Sequence, residues 1–401
     1  MTPDDLILVL NCGSSSIKFA LFQAQAEPMP REPLWSGKVQ GIGGPSPQLS
    51  ESGRETLALT LDAEHPHTDA LDRILIRIEQ RLHGQRLAAV AHRVVHGGQR
   101  YFNPTRVNQA LIDELRELIP LAPLHQPFPL KAMSILLQRD PDLPQIACFD
   151  TGFHHSLPPV EQALPLPYSF WQHGLRRYGF HGLSYEYMSQ VLPERHGELA
   201  RGRTLVAHLG SGASLCAMRE LKSVATTMGF SALEGLMMNT RTGSLDPGAL
   251  LYLMEIEKRP LAEIGQILYH QSGLLGMSGI SAEPRHIVEH ENDPGETGER
   301  ARLALALYVR RIVREIGALV AVLGGLDLLV FTAGNGEHNA FLRERISRDL
   351  AFLGIELDPA ANAANATVIS TANSRVRVAV EPTNEEWIAA QHARDLLASP
   401  A

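Results

Sequence analysis

The chain has 401 residues, enough for two or three independently folding units at roughly 100 to 200 residues each. Hydrophobic residues make up 44% and charged residues 20%, the balance of an ordinary globular protein, and the formal net charge of −8 argues against nucleic acid or an anionic membrane as the main partner. The three cysteines, Cys12, Cys148 and Cys216, lie far apart and form no C-x-x-C pair, so neither a disulfide framework nor a cysteine zinc site is expected and a reducing cytoplasm fits. The opening MTPDDLILVLN lacks the basic start and long apolar run of a secretory leader, and no apolar stretch reaches the ~20 residues that span a bilayer.

Leu6 to Leu10 is a short apolar run followed by NCGSSS and the mostly apolar Ile17 to Phe22, which reads as two strands joined by a Gly/Ser turn. Residues 27–66, rich in Pro, Gly and polar side chains, read as strands with loops. The apolar spacing of Leu71 to Leu82 predicts a helix stopped by Gly84. Leu87 to Val95 reads as a strand entering the HGG loop, and Val107 to Ile119 as a helix stopped by Pro120. After Pro144 the apolar IACF reads as a core strand that delivers Asp150 at its carboxyl end, where ligands bind in α/β sheets. A second cycle starts with the strand Thr204 to Leu209, the turn GSGAS and a return strand from Leu215. LILVLNCGSSSIKFALF and RTLVAHLGSGASLCAMRE share the order strand, small-residue turn, strand, a weak echo of duplication. Helices are expected at Leu250 to Glu257, Leu261 to His270, Glu299 to Leu323 and Glu385 to Leu397. Strands are expected at Leu328 to Thr332 and Val376 to Val380. This alternation predicts an α/β fold. The first domain is expected to close near residue 150.

Three Gly-rich turns follow strands, at Gly13 to Ser16, Gly210 to Ser214 and Gly334 to Gly336. Backbone N–H groups in such turns can cradle phosphate oxygens, although any one of them alone is equally a plain strand connection. Neither the P-loop nor the G-x-G-x-x-G fingerprint is present. Arg93, Arg241, Asp150, His125 and His181 stand among glycines at strand ends, a set suited to stabilising a transferring phosphoryl group, and each by itself reads equally as a loop residue. HIVEH, from His286 to His290, matches a metalloprotease pattern, but Pro284 before it and ENDPG after it predict a short polar helix ending in a loop.

Taken in order, NCGSSSIK, AHRVVHGG, APLH, FDTGFH, RRYGFHG, HLGSGAS, MGFSALEGLMMNTRTGSLDP, SGLLGMSG, FTAGNGE and PTNEE resemble the acetate kinase family over nearly the whole chain. The resemblance implies two duplicated RNase H-like domains of the actin-like ATPase superfold flanking a nucleotide cleft. The first would be residues 1–150 completed by a C-terminal helix at about 385–401. The second, residues 151–384, would carry the nucleotide and the dimer contact. It implies a homodimer and a Mg²⁺-dependent transfer of phosphate between ATP and acetate, with Mn²⁺ able to substitute. Arg93 and Arg241 resemble the arginines that hold the acyl carboxylate and the in-flight phosphoryl group. Asp150 resembles the aspartate between them, and His125 and His181 the histidines on the phosphoryl path. Asn11 and Glu385, with Asp150, resemble the metal side. Val95, Leu124, Phe180 and Ala232 resemble the acyl pocket. Ser14, Ser16, Lys18, His208, Gly210, Ser211 and Gly212 resemble the phosphate contacts. Glu283, Arg285, Gly334, Asn335 and Gly336 resemble the adenosine site.

Departures from the family pattern stand at Gln126, Leu183, Tyr185, Ser211, Asn239, Ser244, Glu283, Pro284, His286, Asn335 and His338. They gather on the nucleotide side. Position 232 is alanine where the family usually has proline. The alternatives are a propionate or butyrate kinase of the same family, an actin-like or chaperone-like ATPase without acyl transfer, and a zinc hydrolase built on HIVEH.

Overall fold

The computed structural model describes residues 5–25, 28–82 and 84–398; the last three residues of the expected closing helix lie outside them. The chain divides into two compact units. One comprises residues 1–153 together with 384–401, the other residues 154–383.

In the first unit the sheet is built from β1 (Asp5–Cys12), β2 (Ser16–Gln23), β3 (Trp35–Gln40), β4 (Gln48–Glu51), β5 (Leu57–Ala58), β6 (Arg86–Val94), β7 (Thr105–Arg106) and β8 (Gln145–Phe149). Their spatial order is β5-β4-β3-β2-β1-β6-β8-β7. β1 pairs antiparallel with β2 and parallel with β6, and β6 is parallel to β8. Strand alternation sends Leu6, Leu8 and Leu10 to one face, into a core with Phe19, Trp35, Leu71, Ile74 and Ile78. The other face carries Ile7, Val9 and Asn11. The helix Glu385–Ala398 packs on β1, β2, β6 and β8.

The second unit has β9 (Thr204–Leu209), β10 (Ala213–Arg219), β11 (Lys222–Thr226), β12 (Leu328–Thr332) and β13 (Arg377–Val380), ordered β11-β10-β9-β12-β13. β9 is antiparallel to β10 and parallel to β12, which is parallel to β13. The same plan therefore recurs: an antiparallel pair joined by a Gly/Ser turn, then two parallel strands. In the first unit that segment is β3-β2-β1-β6-β8. The echo in the sequence is the echo of this topology.

Several elements differ from the expectation. The first helix is Pro66–Leu82, starting five residues before Leu71, because Pro66 can open a helix where its missing N–H is not needed. The helix expected at 107–119 is Gln109–Arg116, capped by the Asn108 side chain accepting from the Leu111 N–H. The helix Pro127–Arg139 was not anticipated, nor was Gly182–His196. The latter buries Leu183, Tyr185, Met188 and Val191 together with Gly182 and Ser184, so it shows no single apolar stripe, and it contains Pro193. Gly334 to Gly336 is not a turn but lies in the short helix Ala333–His338.

Candidate active site

The first unit assembles its polar residues at the carboxyl ends of parallel strands. Leu10 pairs with His92, which sets Asn11 beside Arg93 on the same face, and Asn11 pairs with Lys18 on its other side. Arg93 also pairs with Cys148, and Asp150 follows at the end of β8, its N–H donating to Val94 O at 2.9 Å. Arg93 donates from Nε to both oxygens of Asp150, at 3.0 and 3.1 Å, and from Nη2 at 2.6 Å. Its Nη1 lies 3.1 Å from Glu385 Oε2, at the first turn of the closing helix. Burial works against the charged Arg93 guanidinium, but the Asp150 and Glu385 carboxylates outweigh it and hold its pKa well above the ordinary arginine value. Second N–H groups on Nη1 and Nη2 can still address a ligand.

Around this cluster, Gly13 N–H closes the β1–β2 turn on Ser16 O at 2.8 Å, and His67 Nε2 reaches Ser14 O at 2.8 Å. Ser14 is exposed and Ser16 half-buried. Lys18 opens on a cavity of about 410 Å³ that also involves Lys38, Asn384 and Glu386. Val95, Leu124 and His125 are half-buried. Gln126 is buried and stitches the HGG loop, accepting from His96 N–H at 3.1 Å and donating to His96 O at 2.9 Å. A glutamine here therefore performs a structural task in its own unit.

Among the described residues no group of three or more His, Cys, Asp or Glu is arranged to hold a metal ion. Mg²⁺ usually takes only one or two carboxylates and fills its shell with waters and phosphate oxygens. Asp150 and Glu385, meeting on one guanidinium beside the Asn11 strand, are a donor set of that kind. His290 Nδ1 is engaged by Asp293 at 2.7 Å, and the helix Pro284–Glu289 ends before it.

The second unit builds a different cluster on the β9–β10 turn. His181 precedes the helix Gly182–His196 with φ 58°, a left-handed conformation rarely held by a non-glycine residue. Its ring stacks on that of His208 at 4.1 Å between centroids and 13° between planes. His181 Nδ1 lies 2.8 Å from Ser214 Oγ, and Tyr185 Oη lies 2.5 Å from the same oxygen. His208 Nδ1 meets Ser184 Oγ at 2.9 Å, which meets Thr383 Oγ1 at 2.8 Å.

Gly212 is central. A Cβ placed there would stand 3.3 Å from His181 Nε2 and 3.7 Å from Arg241 Nη1. The bare backbone therefore leaves a small space flanked by two nitrogen groups. Arg241 donates from Nη1 to Ala232 O at 3.1 Å and lies 3.8 Å from Met238 Sδ. Its loop is pinned by Met238 N–H to Arg241 O, Leu274 N–H to Met238 O and Leu275 N–H to Asn239 O. Gly273, with φ +63°, is required there, since a Cβ would stand 2.2 Å from Met238 O. Phe180 and Ala232 are both buried in this unit.

The residues assigned to adenosine are joined by amide side chains. Asn239 Nδ2 donates to Glu283 Oε1 at 3.0 Å, so two departures from the family pattern contact each other. Arg285 donates to Asn339 Oδ1 at 2.7 Å and to His338 O at 2.9 Å, and Asn339 Nδ2 donates to Asn335 Oδ1 at 2.8 Å. Ala333, with φ 64°, gives its N–H to Glu337 Oε1 at 2.7 Å. Beneath this segment the fully buried Arg343 donates to Gly336 O and Glu337 O at 2.8 Å and to the Asn362 and Asn365 side chains at 2.8 and 2.6 Å. Desolvation lowers its pKa to about 10. Asn239, Asn339 and Arg343 were missing from the site read in the sequence, and of these only Asn239 lay inside a quoted motif.

The acetokinase family model matches residues 6–391. The chain belongs to the acetokinase family of carboxylate kinases. It is 48% identical over 393 residues to a protein named acetate kinase from Rhodopseudomonas palustris, with 97% of each chain covered. Among solved structures it is similar to Porphyromonas gingivalis acetate kinase (TM-score 0.86, 37% identity, 98% of this chain and 100% of that one). It is also similar to a propionate kinase from Francisella tularensis (TM-score 0.88, 32% identity, 97% and 98%). These likenesses, with the two sheets described above, place the acetokinase chain in the α/β actin-like ATPase class.

Proposed function

We propose that the protein catalyses reversible phosphoryl transfer between ATP and acetate, giving acetyl phosphate and ADP. The observation that carries this reading is the space over Gly212 flanked by His181 Nε2 and Arg241 Nη1. Acetate, like other carboxylates with a pKa of about 4–5, is ionised at neutral pH, so the nucleophile needs no general base. What the protein must supply is positive charge and alignment. Arg93 is assigned to the acyl carboxylate, with Asp150 and Glu385 fixing the plane of its guanidinium. Arg241 and His181 are assigned to the phosphoryl oxygens, and the β9–β10 turn with Ser211 and Gly212 to the nucleotide phosphates. Asp150 acts as an orienting group rather than a proton acceptor, since it already receives three hydrogen bonds from Arg93. Mg²⁺, when bound at Asp150 and Glu385 through water, with the Asn11 amide nearby, would offset negative charge on the phosphates. Glu283, Arg285 and Asn335 are assigned to adenosine.

A homodimer belongs to the same proposal. The helix Pro247–Glu255 buries no residue of its own, and Leu251, Tyr252, Met254, Ile256 and Leu261 are exposed together around it. A second copy would cover that apolar surface. The three cysteines are free and buried, which suits a cytoplasmic setting, and no described helix is long and apolar enough to cross a membrane.

The test is incubation with ATP, Mg²⁺ and hydroxylamine across formate, acetate, propionate and butyrate. Acetohydroxamate should form in step with ADP, and chelation of Mg²⁺ should stop both. ADP release that ignores the acid would overturn acyl transfer in favour of a plain ATPase.

A further inference from the structure

His181 can carry its neutral-ring proton on either nitrogen, and the choice decides what it presents beside Gly212 and Arg241. A proton on Nε2 makes that nitrogen a second donor next to the Arg241 guanidinium. A proton on Nδ1 leaves a lone pair there, which would accept from arginine and repel a phosphate oxygen.

The groups behind the ring favour one of these forms. Tyr185 lies one turn beyond His181, its N–H donating to His181 O at 3.1 Å. Its ring is fully buried, edge-on to His154 at 5.5 Å and to His208 at 6.3 Å, so its hydroxyl is fixed in place. That hydroxyl meets Ser214 Oγ at 2.5 Å, and Ser214 is itself buried in β10. A phenol is a far stronger acid than an aliphatic alcohol, so in so short a contact the phenol donates and the serine oxygen accepts. Ser214 then turns its own O–H to His181 Nδ1 at 2.8 Å. Stacking on His208 and the pinned Arg241 loop keep the imidazole from swinging out of this line.

We propose that Tyr185 is a positioning residue that acts through Ser214 to hold His181 in the tautomer protonated on Nε2. The inference rests on the reading of His181 as a phosphoryl contact. It also gives a task to Tyr185, which stands where the family pattern usually has histidine. A tyrosine relay has one strongly preferred direction, whereas an imidazole at that position could serve as donor or acceptor.

The experiment is long-range ¹H–¹⁵N correlation on protein labelled at histidine, with the His181 signal assigned by its loss in His181→Gln. The parent should show Nε2-protonated, neutral His181. Tyr185→Phe should give a mixture of tautomers, and so should Ser214→Ala, which covers the case of a phenylalanine variant that fails to fold. Each should lower kcat for acetyl phosphate formation about tenfold, as loss of an outer hydrogen-bond partner commonly does, with KM for ATP and acetate within about twofold. An Nδ1-protonated parent, or an unchanged tautomer in the variants, overturns the relay. Full activity in His181→Gln overturns the underlying role of His181 instead, and the directly observed tautomer tells the two failures apart.

Discussion

Two arginines are held by different kinds of group, each within its own unit. Arg93 is gripped by the carboxylates of Asp150 and Glu385, whereas Arg241 hangs on the Ala232 carbonyl oxygen and the Met238 sulfur. A carboxylate grip orients a guanidinium and neutralises it at once. A carbonyl oxygen orients a guanidinium by a neutral hydrogen bond. The first unit thus joins its arginine to a set of oxygen donors suited to a cation, and the second keeps its arginine beside the bare Gly212.

The largest effect that would sharpen this comparison is on rate. Arg241→Ala and Arg93→Ala should each cut acyl transfer about 10²–10³-fold, the usual consequence of losing a preorganised donor, and lysine should rescue neither well because it lacks the planar fork. The two should part in stability. Arg93→Ala removes the guanidinium that both Asp150 and Glu385 contact, so its thermal unfolding should move down further than that of Arg241→Ala, which loses a bond to the Ala232 carbonyl oxygen. Equal loss of stability in both, or activity within a few-fold of the parent in either, would break the comparison.

Next in size is an acid response that the units should share. Desolvation lowers the pKa of His92 in the first unit and of His154 in the second from 6.5 to about 4. His92 meets Gln145 Oε1 through Nε2 at 2.9 Å, and His154 is bonded through both nitrogens, to Ser223 Oγ and Phe180 O. Since the folded value lies below the unfolded one, the unfolded chain takes up the proton first. Stability should be full above about pH 6.5 and decline as pH falls toward 4, by roughly 3 kcal/mol per histidine. Denaturant titrations of His92→Gln and His154→Gln should each flatten part of that decline; slopes identical to the parent would refute the assignment.

A smaller effect concerns the proposed acyl contact at Ala232. Ala232 is buried and supplies the carbonyl that holds Arg241. A proline ring there would add roughly two methylenes, each worth about 0.8 kcal/mol when buried. Ala232→Pro should therefore lower the propionate-to-acetate ratio of kcat/KM by at most about fivefold. An unchanged ratio would remove Ala232 from the specificity determinants. The smallest expected effect is none at all. His286→Ala combined with His290→Ala should leave activity and metal content as in the parent, since His290 is committed to Asp293 and the short helix that carries His286 ends before it. Stoichiometric zinc in the parent, lost in the double variant, would revive the metalloenzyme alternative.

How much of this was legible in the sequence depended on distance along the chain. The strand–turn–strand units were readable because apolar runs and Gly/Ser turns are local signals, and Asp150 could be placed at a strand end because IACF precedes it. The helix Gly182–His196 escaped because burial on several sides erases the stripe that periodicity detects. The segment Gly334–Gly336 was misread because glycines predict turns, whereas here Thr332 and Glu337 close a short helix around them. The pairing of Asn239 with Glu283, and of Arg343 with Asn362 and Asn365, could not be read at all. Those contacts span 44, 19 and 22 positions and carry no local pattern.

Arg343 has a consequence for how the second unit breathes. Its buried charge is satisfied by neutral oxygens from two separate stretches, residues 336–337 and 362–365. Opening either stretch alone would strand a desolvated cation with half its acceptors gone. The helices Ala333–His338 and Pro359–Ala363 are therefore bound to open together, as one cooperative unit of hydrogen exchange rather than two.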